Sequence, residues 1–175
     1  KKQGHTKDIV KNVSFKVRTG EIVCIAGIDG NGQTELVEAV TGMIRADEGS
    51  IRIKGEDVTK KAIRYRNTHG MSHIPEDRHK HGLVLDYSLE ENLVLQDYFE
   101  KRFQNHGFIR KDAVNAYANE LIEKFDIRSG QGAVTKARSM SGGNQQKAII
   151  ARELSKKPQI LVAVQPTRGL DVGAI

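Results

Sequence analysis

Gly27 to Thr34 reads G-I-D-G-N-G-Q-T, set between the apolar run Glu21 to Ala26 (EIVCIA) and the helically spaced run Thr34 to Ile44. No other stretch limits the possible folds so strongly. Strand, glycine loop and helix in that order make an α/β phosphate-binding unit. Gly27, Gly30 and Gly32 let the backbone wrap an anion with its amide hydrogens, and the following helix adds its positive N-terminal end. Asp29, Asn31 and Glu35 complete the candidate cofactor-binding stretch, and Thr34 stands where a hydroxyl would ligate Mg²⁺. The usual phosphate-loop lysine is replaced by Gln33. Across about 4 Å at an effective dielectric near 20, that lysine contributes a Coulomb term of roughly 4 kcal/mol before desolvation. A glutamine donates a hydrogen bond but brings no charge. Alone, the stretch also fits a tight glycine turn without a ligand, so the rest of the chain has to decide.

Around this unit the pattern is that of an α/β chain. Val13 to Val17 alternates as a strand, and Gly49 to Gly55 (GSIRIKG) reads as a half-exposed strand between glycine turns. From about Leu89 to Arg138 the pattern is mainly helical. Its clearest case is Asp112 to Phe125, with Val114, Ala118, Leu121, Ile122 and Phe125 on one face and Asp112 as N-cap. Ser141-Gly142-Gly143 opens a polar helix running through Leu154, stopped by Pro158. Ile160 to Val164 (ILVAV) is a continuous apolar run, as a buried parallel strand requires. It leads into Q-P-T-R-G-L-D, so Val164 and Gln165 fall at the carboxyl edge of the sheet, where open α/β folds bind ligands. Serine followed by two glycines at a helix start is a second candidate anion site, although an ordinary N-cap explains it equally.

Composition excludes several classes. Of 175 residues, 38% are hydrophobic and 29% charged, a soluble-domain balance with no approach to the roughly 18 apolar residues of a membrane span. No apolar segment near the start reads as a signal peptide. Cys24, the single cysteine, is expected to be a small buried hydrophobe in a reducing compartment. A net charge of +6 invites a nucleic-acid reading. The basic residues, however, are interleaved with acids, and only the first stretch (Lys1, Lys2, Lys7, Lys11, Lys16, Arg18) is enriched. A nucleic-acid face shows a clustered stripe or a recognisable module, so no nucleic-acid partner is expected. A basic surface also suits a protein resting against anionic lipid headgroups. His79 and His81 flank Lys80 with His73 nearby, but no Cys or carboxylate set supports a metal there, and a solvated loop is the expected state.

Taken together, the phosphate loop, a helical insertion, S-G-G-N-Q, the apolar strand and the x-x-G-L-D end resemble the ATP-binding subunits of ABC transporters. GIDGNGQTELVEA, HIPEDRHKHGLV, SMSGGNQQK and QPTRGLDVGA resemble, more narrowly, the second cassette of bacterial simple-sugar and nucleoside importers that carry two cassettes in one chain. The resemblance implies one α/β cassette of the P-loop NTPase type over residues 1–175. Its mostly parallel sheet is flanked by helices, with an antiparallel β subdomain, a core near 1–88 and 139–175, and a helical subdomain near 89–138. It also implies a switch histidine beyond Ile175 and hence a C-terminally incomplete domain. By residue, Gly27, Gly30, Gly32 and Thr34 match Walker A. Val164 and Gln165 stand where Walker B has its carboxylate pair, and Glu76 stands at the Q-loop glutamine. Met140, Ser141, Gly142, Gly143 and Asn144 match the signature, and Asp171 matches the D-loop. His5 is the nearest candidate for the adenine-stacking residue.

The same resemblance implies an asymmetry. One cation and two carboxylates are missing at a single site (Gln33, Val164, Gln165), so ATP and Mg²⁺ binding would be weakened and no catalytic residue is intact. Loss of a general base alone typically costs roughly 10²–10⁴-fold. Ser141, Gly142, Gly143 and Asn144 would instead complete the site of the first nucleotide-binding domain of the same polypeptide. Transmembrane permease subunits, coupled near Ile74 to Val84, and indirectly an extracytoplasmic solute-binding protein, complete the implied assembly on the cytoplasmic inner face of the membrane. The alternatives are a non-catalytic regulatory nucleotide-binding module, or a soluble ABC-type ATPase acting on nucleic acid.

Overall fold

The computed structural model describes residues 9–28 and 30–168, and the chain divides into two compact units, Lys1–Arg66 and Asn67–Ile175.

In the first unit, helix α1 spans Gln33–Thr41. It opens at Gly32, whose φ of 96° is left-handed and natural only to glycine. Gly42 closes it at φ 87°, with the Met43 amide bonded back to Glu38 O at 2.8 Å, so the helix stops short of the expected Ile44. Two short strands follow, β1 (Arg52–Ile53) and β2 (Glu56–Asp57), paired antiparallel. The turn between them has Lys54 and Gly55 at φ 50° and 83°, the primed geometry that matches strand twist. Gly49 to Gly55 is therefore one arm and the turn of a hairpin rather than a single strand. Helix α2 (Ile63–Thr68) begins in this unit. Its Arg66 is 1% exposed. The guanidinium donates to Ala39 O at 2.9 Å and Thr59 O at 3.0 Å, and also to Val40 O. It thus seals the negative end of α1 with a buried cation.

Two expected strands are not realised. Neither Val13 to Val17 nor Glu21 to Ala26 joins a ladder among the described residues. Ile22 is 96% exposed, and Cys24, expected buried, is exposed too. An all-apolar strand is stable only when neighbours pair its edges and cover both faces. In this unit the described ladder is β1–β2 alone.

In the second unit, β3 (Met71–Ile74) pairs in parallel with β6 (Ile160–Ala163), Met71 opposite Ile160 through Ile74 opposite Ala163. The intervening chain supplies α3 (Leu89–Val94), the hairpin β4 (Gln104–Asn105) and β5 (Phe108–Ile109), α4 (Lys111–Lys124) and α5 (Gly142–Ser155). Leu89, Leu93, Ala118, Leu121, Met140, Ala148 and Ala151 form the main core where α3, α4 and α5 meet. The expected apolar face of α4 is what packs there, with Val114 beside Phe103 and Val94. Arg110, not Asp112, holds the N-cap position of α4, without a side-chain hydrogen bond, and Asp112 lies in its first turn. The run ILVAV is not buried throughout. Met71, Ser72 and Ile74 of β3 are buried, whereas Leu161 and Ala163 of β6 are exposed. β6 is hydrogen-bonded to one neighbour among the described strands, which leaves alternate side chains uncovered.

A buried ionic knot ties these layers. The Glu153 carboxylate, 1% exposed, accepts from Gln96 Nε2 at 2.9 Å, Arg152 Nε at 3.0 Å and Lys156 Nζ at 3.2 Å. Ser72 Oγ of β3 donates to Glu153 O at 2.9 Å. Burial acts to raise the Glu153 carboxyl, but Arg152, Lys156 and their hydrogen bonds outweigh it and hold it below the usual range.

Candidate functional site

In the first unit, the glycine loop turns through left-handed residues, Gly30 at φ 83° and Gly32 at φ 96°. Such left-handed turns ahead of a helix's positive end are a common way of presenting amides to an anion. Gln33, the first residue of α1, folds its side chain back across the loop. Its Nε2 donates to Ile28 O at 3.2 Å and lies 1.9 Å from where a Cβ on Gly27 would be. The absence of a side chain at Gly27 leaves the room that the end of Gln33 occupies. Asn31 and Thr34 are exposed, and Glu35 sits in the first turn, where its charge offsets the helix end. Asp29 lies outside the described residues, as do Asp171 and His5.

In the second unit, β3 and β6 end side by side, and Val164 N extends the ladder by donating to Ile74 O at 3.0 Å. Gln165 then turns the chain at φ 44°, with Arg168 N bonded to its carbonyl at 2.9 Å. After β3, Pro75 and Glu76 lead to Asp77, whose carboxylate caps the π-helical turn Arg78–Gly82 through the His79 and Lys80 amides. Those backbone hydrogen bonds hold its carboxyl below the usual range. His79 Nε2 meets Gln145 Oε1 at 2.9 Å, so this histidine serves the turn's packing on α5.

Ser141 is the N-cap of α5. Its Oγ accepts from Asn144 Nδ2 at 2.9 Å and Asn144 N at 3.4 Å. Asn144 Oδ1 accepts from Arg128 N at 2.7 Å, fixing the entry of the helix. Ser141 is exposed and Gly142 and Gly143 are partly so, which leaves an open helix N-terminus able to meet an anion. Gln146 Nε2 donates to Pro166 O at 2.8 Å and ties α5 to the turn after β6.

Two arginines join these positions, and neither stands out in the sequence. Arg168 Nη1 meets Glu76 Oε1 at 2.9 Å, and Arg78 Nη1 donates to Arg168 O at 3.1 Å. The Arg78 guanidinium also fills the space beside Gly142, where a Cβ would come within 2.6 Å of Nη2. Glu76, the turn after β6 and the start of α5 are thus brought together. The one sequence signal is the spacing of Arg78 two residues after Glu76, which carries no structural meaning until the turn is folded.

Residues 10–168 match the ABC transporter family. The chain belongs to this family. Among ABC proteins, it is 52% identical over 166 residues to a nucleoside import ATP-binding protein of Lactococcus lactis, covering 95% of this chain and 33% of that protein. It is 49% identical to a guanosine import ATP-binding protein of Bacillus subtilis over 96% of this chain and 33% of the relative. Against a ribose import ATP-binding protein of Bacillus licheniformis it is 40% identical over 99% of this chain and 34% of the relative. The chain therefore spans about a third of the length of these relatives. The fold matches a dimeric ATP-binding cassette solved with ADP and Pi, at a TM-score of 0.75 and 25% identity, covering 95% of this chain and 69% of that one. It also matches a nucleotide-free cassette at a TM-score of 0.73. The chain has the α/β P-loop fold of ABC ATPases. Among the described residues, no helix is long and apolar enough to cross a membrane.

Proposed function

We propose that this chain is an ATP-binding cassette of an importer for nucleosides or simple sugars, acting with permease subunits and the first cassette of the same polypeptide at the inner face of the membrane. The observation that carries the asymmetric part is the contrast between two anion sites. The start of α5 is capped by Ser141 and partly exposed at Gly142 and Gly143, with the Arg78 guanidinium beside Gly142. The glycine loop, by contrast, holds an uncharged Gln33 turned onto Ile28 O, and β6 ends in Val164 and Gln165 rather than carboxylates. The similar import proteins supply the substrate class.

The glycine loop fits a nucleotide phosphate chain. Gly30 and Gly32 adopt the conformations that turn amides toward an anion, and the Thr34 hydroxyl is exposed for Mg²⁺. MgATP, when bound, supplies the phosphoanhydride whose cleavage drives transport. This chain's own residues would cradle the phosphates with amides and Gln33 but bring neither a lysine cation nor a carboxylate base. Its loop would act as a weak clamp, and Ser141, Gly142 and Gly143 would complete the partner cassette's site.

In the two-cassette transporter, Ser141→Ala is expected to lower ATPase activity by roughly a hundredfold to a thousandfold, as for loss of one preorganised donor. Gln165→Ala should leave it within about twofold, because no base is lost. A large loss from Gln165→Ala would overturn the asymmetry.

A further inference from the structure

Between α3 and α4 the chain builds a feature that the nucleotide chemistry leaves unused. Asn105 to Phe108 is a two-residue hairpin turn, with His106 at φ 48° and Gly107 at φ 86°. Gln104 pairs with Ile109, and Asn105 with Phe108. The hairpin is held firmly. Gly107 N donates to Gln104 Oε1 at 2.9 Å, Gln104 Nε2 to Phe99 O at 3.2 Å and Arg110 N to Phe103 O at 2.9 Å. Phe103, at its base, is 1% exposed.

Successive residues of a strand face opposite sides. A hairpin lying on a protein core therefore buries one side and shows water the other. Here Phe108 and Ile109 point to opposite sides, yet they are 79% and 48% exposed. The second strand of the hairpin is thus apolar on both sides. Behind it stand cations: from Lys101 to Lys111 the chain carries Lys101, Arg102, His106, Arg110 and Lys111 and no carboxylate. Arg102 is engaged with Glu100 at 2.7 Å and lies over the Phe103 and Tyr117 rings. Arg110 and Lys111 are exposed and form no ion pair among the described residues. The nearest following acid, Asp112, lies in the first turn of α4, where it complements the helix end.

An exposed aromatic and an aliphatic side chain backed by unpaired cations suit a charged lipid interface. The apolar tip enters the boundary between headgroups and acyl chains while the cations stay at the phosphates. We propose that the Gln104–Lys111 hairpin docks on anionic phospholipid headgroups, with Phe108 and Ile109 in the interface and Arg110 and Lys111 on the phosphates. This contact goes beyond the cassette reading and stands independently of it.

The chain has no tryptophan, so Phe108→Trp introduces a single reporter at the tip. Titrated with phosphatidylglycerol–phosphatidylcholine vesicles, its emission should shift to the blue and be quenched by brominated acyl chains. Pure phosphatidylcholine should give little change, and salt should weaken the effect. Co-sedimentation of the unsubstituted chain should follow the same lipid dependence, which separates native affinity from any that tryptophan adds. Arg110→Gln with Lys111→Gln should lower partitioning roughly 30-fold, and far-UV circular dichroism checks that this variant stays folded. A tryptophan that remains in water with anionic vesicles overturns the proposal, as does full binding by the charge-neutralised variant. Binding to detergent-solubilised permease without any vesicle affinity would overturn it in favour of a protein partner.

Discussion

Single glycines mark the tightest points of the second unit. A Cβ on Gly82 would lie 2.5 Å from Ile149 Cδ1, and Ile149 is fully buried in the cluster of Ile74, Leu83 and Ala137. Gly142 instead faces the far end of the Arg78 side chain, which can swing aside. Gly82→Ala should therefore cost about 1–3 kcal/mol through overpacking. Gly142→Ala should cost less, because helix propensity favours alanine by about 1 kcal/mol. Urea unfolding midpoints of the two variants check the ranking, and a Gly142→Ala midpoint lower than that of Gly82→Ala would contradict it. The substitution of Gln33 for lysine is plain in the sequence, but its turn onto Ile28 O follows from folding, because the donor reaches the nearest open carbonyl once Gly27 leaves room.

Helices are more legible than strands. The face of α4 at Val114, Ala118 and Leu121 and the cap of α5 at Ser141 can be read directly, since helical period and capping are local properties. The Gln104–Ile109 hairpin is hidden inside a stretch that reads as helical, although Asn-His-Gly is turn chemistry, because two-residue strands carry too few side chains to set a period. Glu21 to Ala26 fails the other way: its composition is that of a buried strand, but a strand depends on partners that its own residues do not specify. At the candidate site, the glycine loop and the S-G-G start are visible in the sequence, whereas the Glu76–Arg168–Arg78 chain joins residues up to 92 positions apart and needs the fold. Local chemistry also predicts how α3 is held. Ser88 Oγ accepts from Glu91 N while the Glu91 carboxylate accepts from Ser88 N at 2.7 Å, a reciprocal cap. Ser88→Ala should lower stability by about 1 kcal/mol, read as a shift of the urea midpoint at unchanged slope.

For the molecule as a whole, acid should be the solvent condition that weakens the fold most directly. His73 on β3 is held below the ordinary histidine range, chiefly by burial, with Glu153 opposing and His81 adding to the shift. Its Nε2 is buried without a hydrogen-bond partner. The fold keeps this ring neutral, so the unfolded chain binds the extra proton, and stability falls as pH drops through about 6.5. Glu153 adds to the loss further down: its folded value is depressed from 4.5, so its contribution is present above that pH and declines below it. Melting temperatures should be level above about pH 7 and fall steadily toward pH 5, and His73→Gln should flatten that first decline. An unchanged slope in His73→Gln would assign the acid sensitivity elsewhere. Arg66 has a further consequence of its own. The boundary between the two compact units falls directly after it, so a fragment that begins at the second unit's first residue needs a cut at the Arg66–Asn67 bond. Trypsin must seat the arginine side chain in its own pocket, but this guanidinium is spent on the carbonyls of Ala39, Val40 and Thr59. Brief digestion should therefore cleave after exposed neighbours such as Lys61 and Arg64 while sparing Arg66. A fragment beginning at Asn67 would then report that the end of α1 has come undone.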